Sequence, residues 1–297
     1  MQDINLNAIT TDSLSHACFT ENAVEASMLR LDKIHPLISG NKWFKLRYYL
    51  EEAKQQHKKR IVTSGGAWSN HIIATAAACR LQQLECTGII RGEEPPVLSQ
   101  TLQEAASLGM QLVFISREKK SDSYIPIELR SGDHYFIQQG GYGKPGAKGA
   151  AAIFGVAENK NSYTHICCAA GTGTMLAGLV HAASPEQKVI GISVLKNNYQ
   201  LEKDVTGLLK EPDQRFSVLH DYHFGGYAKC STTLIQFMNG WYRQTNIPLD
   251  FVYTAKLCFA AMDLAGKKYF PGGSRILLIH SGGLTGNASL KKGTLIF

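Results

Sequence analysis

The chain has 297 residues, 44% of them hydrophobic and 19% charged, with 31 Lys and Arg against 24 Asp and Glu for a net charge of +7. That is enough apolar material for a sizeable core and too little charge for a disordered chain, and the length allows one large domain or two ordinary ones. The basic residues fall in short, dispersed runs (His57 to Arg60, Lys119-Lys120, Lys267-Lys268, Lys291-Lys292) without interleaved aromatics, a surface that points away from nucleic acid and toward anionic small molecules at most.

In chain order, Arg60 to Ser64 reads as a strand ending in Gly65-Gly66, and the Ala-rich Asn70 to Leu81 as a helix. Leu84 to Ile90 is the next strand, Ser99 to Leu108 a helix stopped by Gly109, and Leu112 to Ile115 a strand. This β-α-β-α-β series predicts a parallel sheet with helices on its faces. The Gly-rich stretch from Tyr135 to Gly146 marks a boundary, and a helix is expected over Ala150 to Glu158. A second series follows: strand His165 to Ala169, helix Thr174 to Ala183, strand Lys188 to Val194. After a polar region from Lys196 to Asp213, helices are expected over Leu234 to Thr245 and Ala255 to Leu264, then a last strand over Arg275 to His280. The expected architecture is two open parallel-sheet α/β domains. A smaller domain over 46–146 is inserted into a larger one made of 1–45 and 147–297.

The longest stretch free of Asp, Glu, Lys and Arg, Asn161 to Pro185, is broken by Gly171, Gly173 and Gly178 and reads as strand, turn and helix rather than a membrane span. The N-terminal MQDINLNAIT lacks the basic and apolar regions of a secretory signal, so a cytoplasmic location is expected. Seven Cys in no zinc-like spacing read as free thiols, with no metal site.

Ligands in such folds sit at the carboxyl ends of parallel strands. Gly171-Thr172-Gly173-Thr174 follows a strand and opens a helix, so its amides and hydroxyls suit an anion. A dinucleotide site is the rival, but the next strand ends in Leu195-Lys196-Asn197-Asn198 without the acid that would hold a ribose. A phosphate monoester is the better fit, and no Gly-Lys-Ser/Thr makes a Walker loop. Lys42, in Ser39-Gly40-Asn41-Lys42-Trp43-Phe44, is either a surface lysine at a helix start or a desolvated nucleophile. Lys45 shares its side of the helix by spacing and reads as the outward one. Ser64 to His71 offers a second anion pocket, although Ser69 or Asn70 as a helix cap is a full structural alternative. Tyr227 and Tyr253 each stand beside a turn or helix start, and Ser281 ends the last strand as ligand donor or turn former.

Taken in order, from Gly40 to Gly283, these motifs resemble the pyridoxal-phosphate enzymes of fold type II, tryptophan synthase beta-like. More closely they resemble the 1-aminocyclopropane-1-carboxylate deaminase and D-cysteine desulfhydrase family. Each motif alone is weak; the ordered set is specific. The resemblance implies pyridoxal 5'-phosphate as cofactor, with Lys42 forming the Schiff base and moving the proton. Asn70 would bind the ring hydroxyl, and Gly171, Thr172, Gly173 and Thr174 the phosphate. Ser69 and His71 would hold the substrate carboxylate, Ser69 with a catalytic part as well, and Tyr227 and Tyr253 would face the substrate. Ring-opening deaminases carry Glu after the VY tyrosine and Leu after the last His. Here Thr254 and Ser281 stand there, next to the cofactor ring, as small hydroxyl residues do in D-cysteine desulfhydrases. A neutral partner makes a weaker electron sink, sufficient to expel a good leaving group. The resemblance therefore implies α,β-elimination from a small amino acid, D-cysteine foremost, in a homodimer. Ring opening of 1-aminocyclopropane-1-carboxylate and a non-catalytic binding protein are the alternatives. Phe251 replaces a usual Pro, Ala255 a usual Gly, and the chain is shortened between Lys196 and Phe224, which bears on the substrate.

Overall fold

A computed structural model describes residues 3–116 and 125–297; the basic pair Lys119-Lys120 lies outside them. The strands are β1 (Thr11–Ser13), β2 (Glu25–Arg30), β3 (Arg60–Gly65), β4 (Glu85–Arg91), β5 (Met110–Ile115), β6 (His134–Ile137), β7 (His165–Ala170), β8 (Lys188–Ser193), β9 (Phe216–Leu219) and β10 (Arg275–His280). The α-helices are α1 (Ala17–Thr20), α2 (Asn41–Gln55), α3 (Asn70–Gln82), α4 (Gln100–Ser107), α5 (Lys144–Gly155), α6 (Thr174–Ala182), α7 (Leu201–Thr206), α8 (Thr232–Thr245) and α9 (Thr254–Gly266).

They form two sheets. Six strands run in the order β1-β2-β10-β7-β8-β9, and four in the order β5-β4-β3-β6. The four-stranded sheet is parallel throughout and its strands all come from the chain between β2 and β7. The six-stranded sheet is parallel except at one edge, where β1 runs antiparallel to β2. Both faces of the larger sheet are covered, which is why β7, His-Ile-Cys-Cys-Ala-Ala, is buried at every residue and is apolar throughout after His165.

Helix starts follow local chemistry. Ser69 accepts from the amides of His71 and Ile72, Ser99 from Leu102 and Ser231 from Leu234. Four expectations are corrected. The strands β1, β2, β6 and β9 have no counterpart in the sequence reading, and β6, starting at His134, runs into the presumed boundary segment. The polar region after Lys196 contains α7. The helix expected over Ala150 to Glu158 spans Lys144–Gly155 instead. Its early glycines pack rather than bend: a Cβ on Gly149 would lie 1.8 Å from the Phe44 carbonyl oxygen of α2. A Cβ on Gly178 of α6 would lie 2.5 Å from the Ala150 Cβ. The glycines therefore let α5 lie close between the helices that carry Lys42 and the Gly171–Thr174 loop.

Candidate active site

The residues just beyond the carboxyl ends of β3, β6, β7, β8 and β10 converge on one cavity of about 510 Å³. Of the residues expected from sequence, Lys42, Ser69, Asn70, His71, Gly171, Thr172, Gly173, Tyr227, Tyr253 and Ser281 line it. Thr174 stands behind Thr172, with their hydroxyls 2.9 Å apart. Thr254 does not line the cavity. Its hydroxyl donates to Asp250 Oδ1 at 2.7 Å and accepts the Asp250 amide at 2.7 Å, so it is committed to Asp250, whose carboxylate accepts the amides of Val252, Tyr253 and Thr254 at the start of α9.

Lys42 is the second residue of α2, after Asn41 and the cap Gly40, whose φ of +66° sets the turn into the helix. Its Nζ donates to Asn41 Oδ1 at 2.7 Å and lies 5.9 Å from the centre of the Tyr253 ring. Burial pushes its ammonium down to about 8, partly opposed by the charge of Asp250. About a tenth of the amine is therefore free at pH 7, far more than for an ordinary lysine.

Lys45 corrects the reading that turned it outward. It is 5% exposed, lines the cavity, and its Nζ donates to the Gly140 carbonyl at 3.1 Å. A Cβ on Gly140 would meet the Thr172 methyl at 3.0 Å, so Lys45 reaches the side of the cavity where the Gly171–Thr174 loop lies. Burial and the nearby Lys42 hold its ammonium well below the usual lysine range. An anion at that loop would relieve this penalty. The loop itself ends in Gly173, the left-handed cap (φ +77°) of α6, whose first amides have no carbonyl partner within the helix.

Asn70 has its Oδ1 occupied by the Thr285 hydroxyl at 2.5 Å. The amide nitrogen is thereby left as the donor facing the ligand space, beside Gly283. Ser69 uses its oxygen lone pairs to cap α3 and keeps its hydroxyl hydrogen for a ligand. The cap and the ligand reading are both satisfied by one side chain.

His71 departs from its expected role. The Thr63 hydroxyl gives its one hydrogen to the Ile137 carbonyl at 2.7 Å, so toward His71 Nε2, at 2.8 Å, it accepts. The ring hydrogen is therefore on Nε2, and Nδ1 is a buried acceptor with no partner. Burial, with Lys42 and Lys45 nearby, drives the imidazolium down to about 3. A neutral ring with a lone pair at Nδ1 does not hold a carboxylate by its side chain.

Tyr253 is half-buried and Tyr227 half exposed; their rings meet edge to face at 6.3 Å. Burial raises both phenols, so both remain protonated. Ser281 is buried and lines the cavity. Asp204 is the one carboxylate among the described lining residues, in the turn of α7 that packs on Gly173. No group of His, Cys, Asp and Glu among the described residues is arranged to hold a metal ion, and no described helix is long and apolar enough to cross a membrane.

Sequence reasoning turned Lys45 the wrong way and missed the roles of Asn41 and Thr285. Lys45 was within reach from its i,i+3 spacing to Lys42; Thr285, in a short turn 215 residues from Asn70, left no local signal.

Comparison with known proteins gives a consistent picture. The family described as pyridoxal-phosphate dependent enzyme matches residues 14–282. A Thermotoga maritima protein, provisionally named a 1-aminocyclopropane-1-carboxylate deaminase, is 30% identical over 270 residues, 84% of this chain and 85% of that one. The mitochondrial bifunctional D-cysteine desulfhydrase/1-aminocyclopropane-1-carboxylate deaminase of Arabidopsis thaliana is 28% identical over 296 residues, 89% of this chain and 74% of its own. The crystal structure of a homologue of 1-aminocyclopropane-1-carboxylate deaminase superposes with a TM-score of 0.78 at 27% identity, covering 94% of this chain and 90% of that one.

Proposed function

The chain belongs to the pyridoxal-phosphate-dependent enzymes, and from that premise we propose that it is a lyase acting on D-cysteine. With one water, the reaction yields pyruvate, ammonia and sulfide. The observation that carries this reading is Lys42, an amine made partly neutral by burial and aimed into the cavity with Asn70, Ser69 and Tyr253 around it.

The donor set fits the cofactor. Lys42 supplies the amine for its aldehyde and the Asn70 amide a donor for its ring oxygen. The Gly171–Thr174 loop, with Lys45, supplies amides, hydroxyls and a cation for its phosphate. When bound, pyridoxal phosphate supplies the electron sink that makes the α-proton of an amino acid removable. Lys42 Nζ takes that proton, held by its hydrogen bond to Asn41. Ser69 donates its hydroxyl to the substrate carboxylate, and the first amides of α3 add to it. Tyr253, protonated and close to Lys42, holds a proton at Oη for the departing β-substituent.

Ser281 supports elimination over ring opening, because it places a neutral hydroxyl in the cavity where ring-opening relatives would carry Leu. The Thr254 hydroxyl, bound to Asp250, supplies neither a carboxylate nor a ring partner. The name of the Thermotoga relative favours the second reading, 1-aminocyclopropane-1-carboxylate deamination. Incubating the holoprotein with each compound separates them. Sulfide and pyruvate from D-cysteine are expected with kcat/KM at least ~10-fold above that for 2-oxobutanoate from the cyclopropane substrate. The reverse ratio overturns elimination. Neither product, with no visible absorption band on adding the cofactor, favours a binding protein.

Thr285→Val tests the holding of Asn70. Losing one hydroxyl hydrogen bond frees the amide to flip, at a cost of about 1 kcal/mol. Titration of the apoprotein with pyridoxal phosphate is expected to show about 5-fold weaker binding, and unchanged affinity would mean that Asn70 is oriented by something else.

A further inference from the structure

The turn that carries Tyr227 is conformationally costly. Phe224 (φ +49°), Gly225 (+91°), Gly226 (+118°) and Ala228 (+51°) all occupy left-handed backbone. Such runs persist only when their surroundings over-determine them. The surroundings here are one face of α9, at three-residue spacing. Phe259 meets Phe224 edge to face at 4.8 Å, and Tyr253 meets Tyr227 at 6.3 Å. Between them, Lys256 sends its Nζ to the Gly226 carbonyl at 2.8 Å and to the Val194 carbonyl at 3.4 Å.

Lys256 is wholly buried, an expensive place for an ammonium group. Its two acceptors lie directly before two cavity residues, Tyr227 and Leu195. The fixed carboxylate of Asp250 opposes the loss of its proton to burial. We infer that Lys256 is a positioning residue that holds the turn of Tyr227 against the end of β8 and so sets Tyr227 over the substrate. The inference rests on the reading of Tyr227 as substrate-facing.

Lys256→Met keeps most of the length of the side chain and removes its donors. Amide exchange at Gly225, Gly226 and Lys229 is expected to speed up ~10-fold or more, with β7 and α6 unchanged. The KM for D-cysteine is expected to rise ~10-fold while kcat stays within ~3-fold and cofactor affinity within ~2-fold. In a Tyr227→Phe background the KM penalty of Lys256→Met is expected to shrink, because both changes act through one contact. Unchanged exchange in the turn, or a KM penalty that persists undiminished in the Tyr227→Phe background, overturns the inference. Should Lys256→Met fail to fold, Lys256→Gln, which keeps an amide too short to span both carbonyls, is read in the same way. If the unmodified protein does not turn over D-cysteine, the proposed function fails. The exchange measurement still decides the role of Lys256, because it needs no substrate.

Discussion

Lys42→Ala abolishes both the visible absorption band of the bound cofactor and turnover, with an expected loss in kcat of at least ~10³-fold. Removing a positioned proton-transfer group alone costs about 10² to 10⁴-fold, and this residue is also the attachment point for the cofactor. Lys45 cannot take over. Although it lines the same cavity three residues along α2, its Nζ is turned to the Gly140 carbonyl on the side of the phosphate loop. The contrast is itself testable. Lys45→Ala is expected to weaken cofactor binding and leave the visible band intact once the cofactor is saturating. A Lys42→Ala protein that keeps its band and its turnover removes Lys42 from the mechanism.

The same lysine predicts a pH dependence. Burial disfavours the ammonium and brings its pKa from 10.5 to about 8. Below that pH the amine is protonated and unreactive; above it the amine is free. The rate at which the apoprotein captures pyridoxal phosphate is therefore expected to climb as pH rises through about 8 and then level off. A rate that is flat from pH 6 to 9 would mean that the amine is free throughout, against the burial argument. His71 contributes no titration in this range, because its imidazolium is driven down to about 3.

Gly40→Ala has the second-largest expected effect, and it acts without touching a reacting atom. Gly40 has φ +66° and ψ −138°, a conformation that essentially only glycine adopts. A Cβ there would lie 1.7 Å from the Ser281 carbonyl oxygen. The reverse contact is as tight, since a Cβ on Gly282 (φ +75°) would lie 2.6 Å from Ser39 Oγ and 2.8 Å from the Gly40 nitrogen. The two turns interlock, and the Asn41 amide donates to the Ser281 carbonyl at 3.2 Å. Backbone strain and the clash together are expected to cost on the order of 3 kcal/mol or more. If the protein still folds, the turns separate by an ångström or so, and kcat/KM is expected to fall ~10²-fold. Thermal unfolding and D-cysteine kinetics check the two parts separately. A Gly40→Ala protein with normal stability and normal kinetics would show that the interlock is dispensable.

Much of the fold was legible because its sheets are parallel and covered on both faces. Such strands read as short apolar runs, and Arg275 to His280 is recovered residue for residue. Three of the strands that escaped are short, β1 with three residues and β6 and β9 with four each, and the fourth, β2, reads Glu-Ala-Ser-Met-Leu-Arg, with polar residues in place of an apolar run. The pattern of the short three is too brief to separate from loop. The start of α5 escaped because Gly146 and Gly149 look like loop residues, whereas here they are the price of close helix packing.

The candidate site was legible where its motifs are contiguous. Lys42, Ser69 to His71 and Gly171 to Gly173 stand at turns after strands or at helix starts, and the structure gathers them around one cavity. What was not legible depends on contacts across the fold. The inward turn of Lys45 toward the Gly140 carbonyl and the neutral ring of His71, set by a Thr63 hydroxyl that donates to Ile137, are each decided by a partner remote in sequence. No local spacing carries that information.

The order of strands in the larger sheet has a consequence for biosynthesis. β10 is the last strand in the sequence, yet it lies between β2 and β7 in the middle of that sheet. During translation β2 and β7 therefore have no common neighbour until residues near 280 leave the ribosome. Only then can Ser281 and Gly282 lock against Gly40 and draw Lys42 into place. A nascent chain thus carries its reactive amine for almost the whole of synthesis without the pocket that activates it. Pairings so distant in sequence also close slowly. Cofactor capture by a refolding chain is accordingly expected to be a late event, following the docking of β10.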